Sequence, residues 1–141
     1  MLITVARLVL GAVLLVAGVD HFVNADEFLA QVPSIFPAPE FIVAASGVVE
    51  ILLGVALIGL PARYRPALGW IVGAFFVVIF PGNIAQFIEG TPAFGLDSDA
   101  ARFVRLLFQP VLVAWALWST GAWSDWRARR LTPRRLRDAQ R

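Results

Sequence analysis

One glutamate, Glu50, stands near the centre of an otherwise uncharged run, Phe41–Leu60, in a chain that carries ten acidic residues and a single histidine. A carboxyl group in such surroundings is either held neutral or paired with a cation. Two arginines could reach it: Arg7, within the apolar run Leu2–Val19, and Arg105, within Phe103–Thr120. If these runs are helices crossing one apolar layer, Arg7 and Glu50 differ in depth by about four residues, roughly 6 Å at 1.5 Å per residue, which an extended arginine spans. Arg105 can turn instead toward the acidic segments around it, so the expected intramembrane ion pair is Arg7–Glu50. Such a pair would fix helix register or take part in chemistry, and the first is the plainer reading.

A second polar set lies toward the other end of the same runs. His21 closes the first. Asn83 and Gln86 are three apart in Ala67–Ile88, and Arg105 and Gln109 are four apart in Phe103–Thr120, so each pair shares a helix face. If those faces point inward, His21, Asn83, Gln86, Arg105 and Gln109 line one polar cavity, closed beneath by Arg7–Glu50. Pro81 and Pro110 would free backbone carbonyls at the same level. Hydrogen-bonding groups set in an apolar slot suit a small lipophile with polar ring substituents, a quinone for example. Hydrogen bonds that tie helices together are the competing explanation for the amides, and a solvated ring the competing one for His21. With no cysteine and Met1 the only methionine, the chain cannot form disulfides, thiolate metal sites or a bis-ligated haem of its own. No metal site, phosphate-binding glycine loop or Ser–His–Asp order is present to name a catalytic residue. A redox role would need a borrowed cofactor, and independent enzymatic activity is not expected.

The elements that must position these residues follow from composition. Hydrophobic residues make up 59% of the 141 and charged residues 16%, against about 45–50% and about 25% in soluble domains. A bilayer core of about 30 Å takes about 20 apolar residues per helix, and four stretches come near that length: 2–19, 41–60, 67–88 and 103–120. A cleaved signal peptide is the other reading of the first, but its basic flank is Arg7 alone and three more spans follow. The fold class is therefore an all-α membrane protein, a four-transmembrane-helix bundle. Residues 1–122 form the transmembrane domain and 123–141 a basic juxtamembrane tail.

Loop charges orient it. Asp20, Asp26, Glu27 and Glu40 lie between the first two spans with no arginine, and Glu89, Asp97, Asp99 and Arg102 between the last two. Arg63 and Arg65 lie in the turn Pro61–Pro66, and the tail carries seven of the twelve arginines. Positive charge stays inside, so both termini are expected in the cytoplasm of a multi-pass cell-membrane protein, with all five tryptophans near the inner ends. The high basicity belongs to the tail. It points to anionic lipid or a cytoplasmic protein as partner, and not to nucleic acid. The outer connection Asp20–Glu40 should hold a short helix, opened by a capping-box spacing of Asn24 and Glu27, followed by an extended segment with Pro33, Pro37 and Pro39. Gly11 and Gly18, Gly47 and Gly54, and the GxxxG of Gly69 and Gly73 give helix faces that allow close backbone approach.

Taken in order, Arg7, Gly18 and His21-Phe22, then Ser46-Gly47-Val48-Val49-Glu50 with Gly54, then Pro81-Gly82-Asn83, then Arg105 with Gln109, resemble the DoxX-like family of small four-helix integral membrane proteins over about residues 5–118. The resemblance implies a four-helix bundle and, in some members, association with quinol oxidase, thiosulfate oxidation or oxidative-stress machinery. By position it implies roles for Arg7, His21, Glu50, Asn83 and Gln109. Relatives tied to disulfide chemistry use cysteines, so that branch is not expected here. The function expected is an accessory subunit of a membrane redox or oxidative-stress system that binds a quinone-like lipophile. The alternative is a non-catalytic membrane scaffold. A proton-coupled transporter ranks third, because four helices leave little room for alternating access.

Overall fold

The computed structural model describes residues 1–131. Among them are six α-helices and no strand: α1 Leu2–Val23, α2 Ala25–Leu29, α3 Pro39–Gly59, α4 Arg65–Glu89, α5 Asp99–Ser119 and α6 Ala122–Leu131, with one 3-10 turn at Ala62–Tyr64. Helices α1, α3, α4 and α5 are long and apolar enough to cross a membrane. The apolar runs fall short of all four, most of all of α1 and α5. Helix α1 continues through Asp20 to Val23, and α5 begins at Asp99, where the Ser98 hydroxyl accepts from the Ala101 amide at 3.2 Å. Hydropathy sees only the apolar turns of a helix, whereas capping sees its true end.

The short helix expected in the first loop is α2, but its capping box does not form. The Asn24 side chain donates back to Asp20 Oδ1 at 2.5 Å, and the Glu27 carboxylate accepts from the Phe94 amide at 2.6 Å, across 67 residues of sequence. At the other end the chain reverses through Gly121, at φ 76°, and the start of the basic tail is helical as α6. The tail from residue 132 onward lies outside the described residues.

Helix α1 packs along α3, and α4 along α5; α3 and α4 touch each other only sparsely although they are consecutive. Glycine explains the first pairing. A Cβ on Gly18 would lie 2.7 Å from the Gly47 carbonyl, and one on Gly54 would lie 2.7 Å from the Gly11 carbonyl, so the two backbones meet directly at both crossings. The close-packed core, Leu10, Leu14, Leu53, Leu57, Leu68, Val72, Phe76 and Ala116, occupies the half of the bundle nearer α6 and the 3-10 turn. This end carries Arg63, Arg65 and the arginines of α6, with Asp125 among them; the opposite end carries Asp20, Asp26, Glu27, Glu40, Glu89, Asp97 and Asp99, with Arg102 on Asp99 and Arg105 nearby. We refer to them as the basic and acidic ends. Around the flanks large apolar side chains face outward, with Val16 and Phe41 more than 70% exposed and Val78 at 74%. Soluble monomers rarely expose so extensive an apolar belt.

Candidate functional site

Between the two glycine crossings, about one turn from each, α3 presents Glu50, 5% exposed. The expected partner, Arg7, is not there. The Arg7 guanidinium donates to the Leu57 carbonyl and, at 3.4 Å, to that of Ile58. These carbonyls belong to the last turn of α3, where backbone acceptors have no intrahelical donor and the helix dipole is negative. Arg7 therefore closes the basic end of α3 from the neighbouring helix. Seven residues separate Leu57 from Glu50, about 10 Å at 1.5 Å per residue. The ion-pair expectation counted depth along the helices and overlooked this set of unbonded carbonyls.

What faces Glu50 is His21, the last buried residue of α1. Its Nδ1 lies 3.3 Å from Glu50 Oε2 and 2.8 Å from the Ala17 carbonyl one turn back. A carbonyl can only accept, so the Nδ1 proton is directed to Ala17. Glu50 Oε2, buried, is left with no hydrogen-bond donor. The imidazole is fixed from the other side by Phe28 of α2, stacked at 3.6 Å between centroids. Phe28 in turn meets the edge of Phe94 at 4.8 Å. Phe94 holds a left-handed backbone, φ 54°, with its amide on Glu27. The two acidic-end loops are thus joined over the histidine.

The remaining residues of the expected polar set form two clusters. Arg105 donates to Gln86 Oε1 at 3.1 Å and to Gln31 Oε1. Gln86 passes a hydrogen bond to the Thr91 carbonyl, and Gln31 to that of Glu27. No carboxylate pairs with Arg105 among the described residues; neutral amides alone surround its charge, with its guanidinium 5.4 Å over the Phe94 ring. Asn83 donates to Gln109 Oε1 at 3.0 Å, and Gln109 to the Phe76 carbonyl, next to Val77, whose own helical acceptor is released by Pro81.

A cavity of about 530 Å³ lies between α3 and α4 under the first loop, and His21, Glu50, Asn83 and Arg105 line it. Gln86 and Gln109 stand behind, holding Arg105 and Asn83. Apolar side chains make most of the wall, Val49 and Ile42 on α3 facing Phe75 and Ile79 on α4, with Pro33 and Phe36 above. Because α3 and α4 barely touch, the cavity opens sideways past the exposed Phe41 and Val78. Glu50 does not lie beneath a closed floor; it belongs to the cavity itself. Gln31, Phe28, Phe94 and Glu27 were absent from the sequence-derived set. Local sequence does not assign them to the site, where Glu27 reads only as a helix cap, since they reach it from segments whose path tertiary contacts determine. Among the described residues no group of His, Asp and Glu could hold a metal ion.

A helical bundle with this buried polar cluster is matched from its first buried leucine to the end of α5. The chain belongs to the family of the domain of unknown function DUF8561, whose profile covers residues 10–120. No curated protein and no solved structure matches it. The matched region takes in every cavity-lining residue named above and leaves out Arg7 and α6.

Proposed function

We propose that this chain is a four-span integral protein of the cell membrane, with both termini cytoplasmic, and that its cavity binds a quinone-like lipophile. On this reading it is DoxX-like in function, an accessory subunit of a membrane redox or oxidative-stress system. Four apolar helices, the outward apolar belt and the concentration of arginines at one end, with only Arg102 and Arg105 toward the acidic one, support the topology. The observation that carries the ligand is the sideways-opening cavity with Glu50 Oε2 buried and without a donor. Leaving a buried acceptor unpaired costs about 1–3 kcal/mol, which a ligand that donates there recovers. A lipophile reaches such a cavity from the bilayer without crossing water, lays its tail between α3 and α4, and offers a hydroxyl to Glu50. Its second ring oxygen can accept from Asn83 or Arg105. With no cysteine to remove, single cysteines at residues 62 and 97 test the topology directly. Impermeant thiol reagents should label residue 97 from outside intact cells and residue 62 only after lysis.

For the ligand, protein purified in mild detergent should carry an extractable lipophile and gain thermal stability with a quinone or its quinol, and Glu50→Gln should weaken that gain. Absence of both effects sinks the ligand reading. The scaffold alternative, with the basic tail recruiting a cytoplasmic protein, predicts instead that truncation after residue 126 abolishes partner recovery while Glu50→Gln preserves it.

A further inference from the structure

At the basic end, the face of α6 and the groove between α4 and α5 meet. Gly121 reverses the chain after α5, and the turn seats on α4 at Gly69, where a Cβ would lie 2.9 Å from that of Ala122. Ala122 is fully buried, so α6 is anchored at its first residue, and the helix contacts both α4 and α5. Trp123, Trp126, Arg127 and Arg130 fall at i, i+3, i+4 and i+7 and so form one stripe. The two indoles stack at 5.2 Å; Arg127 lies 5.7 Å over Trp123, and Arg130 4.8 Å over Trp126. The acid of this helix, Asp125, is engaged by Arg129 at 2.8 Å on another face. No acid pairs with Arg127 or Arg130 among the described residues.

Trp123 also closes one end of an apolar groove of about 840 Å³ that runs between α4 and α5, past Val77, Leu107, Pro110, Ala114 and Trp118. From Leu107 to Trp118 is eleven residues, about 16 Å along a helix, comparable to a phospholipid acyl chain within one leaflet.

We infer that this groove and stripe form a binding site for one anionic phospholipid, its acyl chain between α4 and α5 and its phosphate on Arg127 and Arg130. The groove alone would take any hydrocarbon. Arg127, over the Trp123 ring that closes the groove, and Arg130, three residues on over Trp126, neither paired with an acid among the described residues, select a negative one. Arginine presents a planar fork that matches phosphate oxygens bidentately, and a ring beneath it limits the motions lost on binding. The inference rests on the four-span reading and is independent of the ligand in the other cavity.

The test uses the full chain in detergent, with lipid retention read by native mass spectrometry for phosphatidylglycerol and phosphatidylcholine of identical chains, and with inorganic phosphate as a third probe. Wild type should retain phosphatidylglycerol preferentially. In R127Q/R130Q the preference should fall by about fivefold for each arginine removed. In A114F, which fills the groove at an exposed position, both lipids should be held less well. Equal retention of the two lipids by wild type, an unchanged preference in R127Q/R130Q, or full retention in A114F overturns the site. So does stabilisation by inorganic phosphate as large as that by phosphatidylglycerol. Alkaline extraction of cell membranes separates this failure from that of the topology: release of the chain into the supernatant sinks the four-span reading, whereas retention with no lipid preference sinks only this inference.

Discussion

Toward the basic end, Leu10 and Leu57 are fully buried, and Leu14, Leu53, Leu68, Val72 and Phe76 fill the space around them. Toward the acidic end the same four helices enclose about 530 Å³ and bury His21, Gln31, Glu50, Gln86 and Gln109 instead. Both halves share the α1–α3 glycine crossings, so the difference does not come from how closely those two helices approach. It comes from α3 and α4, which part above the leucine layer. One half is packed to hold the bundle together and the other is left open at a cost in packing, which is the pattern of a scaffold carrying a site.

Substitutions can break this contrast. The largest effect should come from Gly18→Leu, whose side chain would have to enter the backbone of α3 at Gly47; loss of folded protein in detergent gel filtration is expected. Leu57→Ala in the packed half should cost about 2–5 kcal/mol, read as a lowered melting temperature, while Val49→Ala on the cavity wall should cost well under half of that. An equal cost would erase the distinction between the halves. Arg105→Ala should lie between them, at about 1–3 kcal/mol, because Gln31 and Gln86 each lose their donor. Glu50→Gln should leave stability unchanged or raised, since it removes a buried acid that has no donor. A melting temperature lowered by several degrees would mean that Glu50 supports the fold and not the site. The smallest effect is expected of Glu27→Gln, which weakens a charge-assisted bond at the surface; faster hydrogen exchange at the Phe94 amide, with an unchanged melting temperature, is its signature.

Much of the fold was legible because the spans answer to length and apolarity alone. The glycine spacing of Gly11 with Gly18 and Gly47 with Gly54 pointed to the faces on which α1 and α3 meet. The site was legible only in its members. His21, Asn83 and Arg105 do line one cavity, but Glu50 joins them there and Arg7 does not. The capping spacing of Asn24 and Glu27 was present in sequence and unused in structure, because an amide 67 residues away competed for the same carboxylate.

The sequence by itself determined four apolar helices, the concentration of arginines beyond the last span, and which polar groups are set in apolar surroundings, since each is a property of a residue and its near neighbours. Only the tertiary structure decided which groups meet. Arg7 could satisfy its charge on a carboxylate or on the open end of a helix, and the choice depends on where α3 stops relative to α1. Glu50 could be paired or left facing a cavity, and that depends on the gap between α3 and α4. Both are settled by packing across elements, where side chains far apart in sequence compete for the same donors and acceptors.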